Sequence, residues 1–246
     1  MHSVILLPGL ACDAGLWFAQ REALAACHGV HVSNVHQRRD SLPAMATLLL
    51  QELPPGRHVL VGASMGGMVA MHAALQAPAR VAGLALLGTS ARADTPELIR
   101  LRSQACELFA MGRMDEVLLA NVSFAFHPDK AADADLVQAY IAMVGRAGAG
   151  QLISQNRAVM ARPDLRSDLR RINAPTLVAV GEADQLTTPE HACEIAAAVP
   201  GARLHRVAGA GHMLTMEQPH AVNRLLLDWL DGLDGLCGLE AARPVP

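Results

Sequence analysis

A chain of 246 residues fits one α/β domain, or two small ones at most. Hydrophobic residues make up 52% and charged residues 17%, which allows a sizeable core and excludes a globally disordered chain. The formal net charge of −3 lacks the basic footprint that nucleic-acid binding uses.

In chain order, short apolar runs rich in β-formers predict strands at 4–7, 30–35, 57–61, 81–87, 176–180 and 203–207. Helical patterns lie between them at 16–26, 42–52, 65–77, 189–198 and 219–230. Most of the strands lack apolar/polar alternation, so both faces of a mostly parallel sheet are covered. The alternation reads as a doubly wound α/β fold of about six strands. One connection departs from this rhythm. Residues 94–171 show only helical stretches, broken at Gly112, Pro128, 145–150 and Pro163, and are too long for a crossover loop. They read as a helical insertion ahead of the last two strands. The core then covers 1–93 and 172–231, and the Gly- and Pro-bearing stretch 232–246 reads as a loosely held tail.

No apolar run approaches a membrane span and no basic leader is present, so the cytoplasm is the expected compartment. The five scattered cysteines, without a C-x-x-C, suit reduced thiols and neither a disulfide frame nor a zinc site. Lys130, the only lysine, sits beside Pro128 and Asp129, whereas a Schiff-base amine needs a desolvated pocket. Tyr140 is the only tyrosine and Val144 stands four places on, so a Tyr-x-x-x-Lys reductase is excluded. The zincin, P-loop and dinucleotide fingerprints are absent too, and the expected chemistry uses no cofactor and no metal.

Gly62-Ala63-Ser64-Met65-Gly66 joins an apolar strand to an Ala/Met-rich helix. A G-x-S-x-G turn between strand and helix needs small flanking residues, and it exposes the serine beside free helix N–H groups. Ser64 is the candidate nucleophile. Of eleven histidines, His212 follows the last strand in a glycine-rich loop at the sheet's carboxyl edge and is the candidate base. His72 lies eight residues along the same helix as Ser64, about 12 Å away, and cannot reach it. Asp184, beyond the penultimate strand, is placed to orient the imidazole, with Glu182 and Asp94 as rivals. After the first strand, Pro8-Gly9 turns the backbone so that the Leu10 N–H, with that of Met65, can face a developing oxyanion. Cys12 has no such elbow.

These residues resemble the α/β-hydrolase family in its cap-bearing esterase and lactonase-like branch. The similarity runs from Leu6-Leu7-Pro8-Gly9 through the elbow to Gly181-Glu182-Ala183-Asp184, Gly211-His212 and Glu217-Gln218-Pro219. It implies a core lacking the family's first two strands and a triad of Ser64, Asp184 and His212. It further implies an oxyanion hole at Leu10 and Met65, and a cap over 94–171. The family's frequent His-Gly start to the oxyanion loop is Pro8-Gly9 here. His36-Gln37-Arg38-Arg39-Asp40-Ser41 replaces a glycine-rich loop, which makes His36 a candidate substrate contact. In the insertion, Phe124, Phe126, Tyr140 and Met143 either line an apolar pocket or pack its core, and Arg157 or Arg162 offers a guanidinium for a substrate carboxylate. The implied reaction is hydrolysis of a small carboxylic ester or lactone through an acyl-enzyme, with no nucleic-acid or membrane partner. Carbon–carbon bond hydrolysis, cofactor-free haloperoxidation and cyanohydrin lysis use the same fold, and a non-catalytic binding module keeps the same shell.

Overall fold

The computed structural model describes residues 1–240, with side chains as far as residue 233. Six parallel strands form one sheet: β1 (Ser3–Leu7), β2 (Gly29–Val32), β3 (His58–Ala63), β4 (Val81–Leu87), β5 (Thr176–Gly181) and β6 (Arg203–Val207). They are ordered β2-β1-β3-β4-β5-β6. The described helices are α1 (Phe18–Ala25), α2 (Leu42–Glu52), α3 (Met65–Gln76), α4 (Pro96–Ala110), α5 (Met114–Ala125), α6 (Pro128–Ala131), α7 (Ala134–Met160), α8 (Pro189–Ala198), α9 (Leu214–Glu217) and α10 (Pro219–Glu240).

Successive strand residues point to opposite faces, and here both faces are apolar. Val4, Leu6, Val59, Val61, Ala85 and Leu87 pack toward α1, α10 and the helices inserted after β4. Ile5, Leu7, Leu60, Leu84, Leu86, Val178 and Val180 pack toward α2, α3 and α8. The interior strands β3 and β5 are buried throughout, while the edge strands β2 and β6 are largely open to solvent. This two-sided burial is the doubly wound arrangement expected.

Two boundaries differ most from expectation. β2 ends at Val32 instead of residue 35, because the Ser33 hydroxyl accepts from the Val35 amide at 3.4 Å and the chain turns into a short 3₁₀ segment, Val35–Gln37. The last helix continues past residue 230 to Glu240. Leu226, Trp229, Leu230 and Leu233 form an i, i+3, i+4, i+7 buried stripe, and Gly83 leaves the space that Trp229 and Leu233 fill. Of the expected tail, residues 241–246 lie outside the described residues.

The insertion, helices α4 to α7, lies between β4 and β5. Its breaks fall at Gly112, Pro128 and Gly148, the last interrupting α7 with φ 73°. At its neck the inaccessible Asp94 carboxylate pairs with Arg162 at 2.7 Å and Arg102 at 2.9 Å, clasping the points where the chain leaves and returns. Among the described residues no helix is long and apolar enough to cross a membrane.

Candidate active site

β3 delivers Ser64 directly to the first residue of α3. Its backbone stands at φ 52°, ψ −118°, a conformation costing about 1–3 kcal/mol for a residue with a Cβ. Four hydrogen bonds hold it there, one of them from the Met68 amide to the Ser64 carbonyl at 3.3 Å. The Ser64 amide donates to Leu87 O at 2.9 Å, and the Ser64 carbonyl accepts from Gly67 N at 3.0 Å and Thr89 Oγ1 at 2.7 Å. At about 0.5–1.5 kcal/mol each, these bonds are enough to offset the strain. Gly66 is required by sterics, since a Cβ there would run into the Leu7 carbonyl oxygen. The contact seats the elbow on the end of β1.

The Ser64 Oγ lies 3.0 Å from His212 Nε2, and His212 Nδ1 lies 2.9 Å from Asp184 Oδ2. The His212 ring leaves the loop after β6 and Asp184 the loop after β5, so three strand ends meet. Asp184 Oδ1 accepts from the Leu186 and Thr187 amides, both at 2.9 Å, and Oδ2 accepts also from Thr187 Oγ1 at 2.9 Å. A carboxylate offers only acceptors, so His212 Nδ1 carries the proton and the Nε2 lone pair faces the Ser64 hydroxyl. Burial opposes ionisation of Asp184, but the His212 charge and the Thr187 bonds outweigh it and hold the carboxyl below its ordinary range. Burial likewise pulls His212 down, yet the Asp184 charge and hydrogen bond, with Glu217 behind, hold the imidazole above the ordinary histidine value. The line can therefore take a proton from Ser64 and keep it on His212.

A Cβ built on Gly9 would stand 3.3 Å from Ser64 Cβ, which places the loop after β1 beside the hydroxyl. Among the described residues, neither the Leu10 nor the Met65 amide has a protein acceptor. Ala11 beside them adopts φ 55°. Residues 3–219 match the α/β hydrolase fold family.

The chain belongs to the α/β-hydrolase family.

This hydrolase is 28% identical to a candidate carbamate hydrolase, RutD, from Azorhizobium caulinodans, over 94% of this chain and 92% of the relative. Among solved structures it is similar to an enol-lactonase from Burkholderia xenovorans (TM-score 0.84, 25% identity, 94% of this chain and 91% of the other). It is also similar to a thermophilic esterase from Thermogutta terrifontis (TM-score 0.83, 26% identity, 95% and 90%).

The other sequence candidates are placed as follows in this α/β-hydrolase. Phe126 and Tyr140 are buried in edge-to-face contact, 5.3 Å between centroids, and the Tyr140 hydroxyl accepts from Asn121 at 2.9 Å. Burial pushes the Tyr140 hydroxyl up to about 12. Met143 is buried in the same cluster and forms part of a cavity of about 470 Å³ with Leu16, Phe18, Leu136 and Met216. Phe124 is half exposed and Arg157 exposed, whereas Arg162 is spent on Asp94. His36 is buried; its Nε2 donates to Cys12 O at 2.9 Å, while residues 37–40 after it stay exposed. Of the rivals to Asp184, Glu182 accepts from the Gly209 amide at 2.7 Å and Asp94 sits in the neck clasp. Burial raises the Cys12 thiol to about 12, far from a thiolate. Among the described residues no group of three or more His, Cys, Asp or Glu side chains is placed to hold a metal.

Glu217, in the sequence a motif residue only, has a structural task in the fold. Its buried carboxylate accepts from the Gly211 amide at 2.9 Å and the His127 amide at 2.7 Å, tying the His212 loop to the start of α6. Burial raises this carboxyl, against the pull of those amides. Gly211 permits the close approach, since a Cβ there would lie 2.6 Å from His127 N. Glu217→Ala orphans two amides at roughly 1–3 kcal/mol each, so a loss of about 2–4 kcal/mol is expected in urea unfolding. A loss under about 0.5 kcal/mol would mean that water replaces the carboxylate at no cost.

Proposed function

We propose that this α/β-fold hydrolase is a serine hydrolase of small carboxylic esters or lactones that works through an acyl-enzyme. The observation that carries the reading is the hydrogen-bonded line Ser64–His212–Asp184, with the unspent Leu10 and Met65 amides beside it. Ser64 Oγ attacks the carbonyl carbon while its proton passes to His212 Nε2. The carbonyl oxygen takes the negative charge and accepts from the two amides, where water-excluded donors stabilise it most. Collapse expels the alkoxide, which His212 protonates; in a lactone that alkoxide stays tethered to the acyl group. A water molecule gives its proton to His212 and attacks the acyl carbon, and Ser64 leaves as the regenerated hydroxyl. Throughout, Asp184 stays ionised and steadies the imidazolium.

Residues 94–171 serve as the cap over a core of 1–93 and 172–231. Phe126, Tyr140 and Met143 share one apolar cluster with Ala11, Cys12 and Met213, so the cap presents an apolar wall to the acyl or alcohol group. Similarity to an esterase and an enol-lactonase supports the substrate class.

The test pairs a fluorophosphonate, with the adduct mapped by peptide mass spectrometry, and p-nitrophenyl esters of increasing acyl length. The expected result is an adduct on Ser64 and turnover that declines with the longer acyl chains. A folded sample that gives neither adduct nor turnover would overturn the reading.

A further inference from the structure

Gln155 lies on α7 of the cap, 144 residues from the loop after β1, and its side chain is completely inaccessible. Its Oε1 accepts from the Ala11 amide at 2.6 Å, and its Nε2 donates to the His36 carbonyl at 3.0 Å. The two partners leave only one assignment of the amide, since a backbone N–H cannot accept and a carbonyl cannot donate. His36 in turn donates from Nε2 to Cys12 O at 2.9 Å. The loop carrying the Leu10 amide is thus held from both sides of Ala11, the residue at φ 55°. A left-handed conformation at a residue with a Cβ persists only where its surroundings over-determine it. Burying a primary amide is unfavourable unless both ends are used, and here both are used on backbone remote in sequence.

We infer that Gln155 is the positioning residue of the oxyanion loop, so that seating the cap helix and aiming the Leu10 N–H are one event. The Ala11 N–H belongs to the peptide plane that follows Leu10. Fixing it fixes the backbone torsion beside the oxyanion donor. The inference rests on the serine-hydrolase reading and adds a device to it: the cap completes the oxyanion hole as well as shaping the pocket. Gln155 touches no substrate in this scheme.

Gln151 supplies an internal control. Its Nε2 donates to the same His36 carbonyl at 3.0 Å, but among the described residues it makes no hydrogen bond to the oxyanion loop. The experiment compares native protein with Gln155→Met, Gln155→Glu and Gln151→Ala, each checked for folding by circular dichroism. It measures p-nitrophenyl butyrate kinetics and the affinity of an aliphatic trifluoromethyl ketone. That ketone accepts Ser64 Oγ at its carbonyl carbon, passes the serine proton to His212 and places the resulting oxyanion in the hole.

Gln155→Met keeps the volume and loses both hydrogen bonds. It should lower kcat about 10- to 100-fold with KM within about threefold, and weaken the ketone by a similar factor. Gln155→Glu, neutral when buried, can accept from Ala11 and donate to His36, and should recover most of the loss. Gln151→Ala should stay within about twofold of native, since it leaves the Ala11 bond in place. Should the methionine variant fail to fold, Gln155→Asn withdraws the amide by one methylene and carries the same expectation. Unchanged kcat, a loss confined to KM, or an equal loss in Gln151→Ala overturns the inference alone. A native protein inert toward both the ester and a fluorophosphonate overturns the hydrolase reading, and this inference with it.

Discussion

Ser64→Ala should lower ester turnover by about 10⁴- to 10⁶-fold while leaving the far-ultraviolet circular dichroism unchanged. The reasoning is geometric. The Oγ is the atom 3.0 Å from His212 Nε2, and among the described residues no other hydroxyl or thiol lies within hydrogen-bonding distance of that nitrogen. Cys12, the nearby thiol, is held protonated by burial. Removing one oxygen leaves the four backbone bonds at residue 64 intact, and alanine meets the same φ cost as serine, so stability should move by less than about 1 kcal/mol. The measurement is kcat for p-nitrophenyl butyrate with thermal denaturation alongside. Turnover within tenfold of native would sink the nucleophile assignment.

Asp184→Asn should reduce kcat by about 10³- to 10⁴-fold and also displace the pH profile. The Leu186 and Thr187 amides both donate to Asp184 Oδ1. An asparagine must therefore keep its oxygen there and turn its NH₂ toward His212. Facing a donor, His212 Nδ1 becomes the acceptor and the proton moves to Nε2, aimed at the serine it should deprotonate. The sign of the pH effect follows from the base role. Activity needs neutral His212, so kcat/KM rises with pH through its pKa. In the native protein Asp184 holds that pKa above the ordinary histidine value, and the carboxylate stays ionised across the range. With asparagine the raising charge is gone while the burial remains, so the acid limb should move to lower pH. A limb that does not move would mean that the group titrating in the rate profile is not His212.

Both variants test residues that the sequence singles out, and the reason they are legible is local. The elbow at Ser64 needs small neighbours and a strand-to-helix change of period, and both are written within a dozen residues. Asp184 and His212 each follow a short apolar strand, and the ends of parallel strands in one sheet come to one edge. The sheet itself could be read from runs such as 81–87 and 176–180, and the insertion from the absence of such runs over 94–171. What periodicity could not supply was the outcome at polar loop positions. The segment after β2 reads as a solvated loop, yet His36 turns inward because the Cys12 carbonyl needs a donor.

From the order of residues alone the fold class could be read, and the three side chains that meet at the sheet's carboxyl edge could be singled out. These depend on hydrophobic period, on turn chemistry and on order along the chain. The contacts of Thr187, Glu217 and Gln155 emerge only when the chain is packed. Thr187 completes the shell of Asp184 through its amide and hydroxyl, while Glu217 and Gln155 act on backbone amides 6 to 144 residues away. Every residue but proline carries such an N–H, so the partner of a buried carboxylate or amide leaves no mark in its own type or spacing. It is chosen by whichever donor the packed core brings within reach.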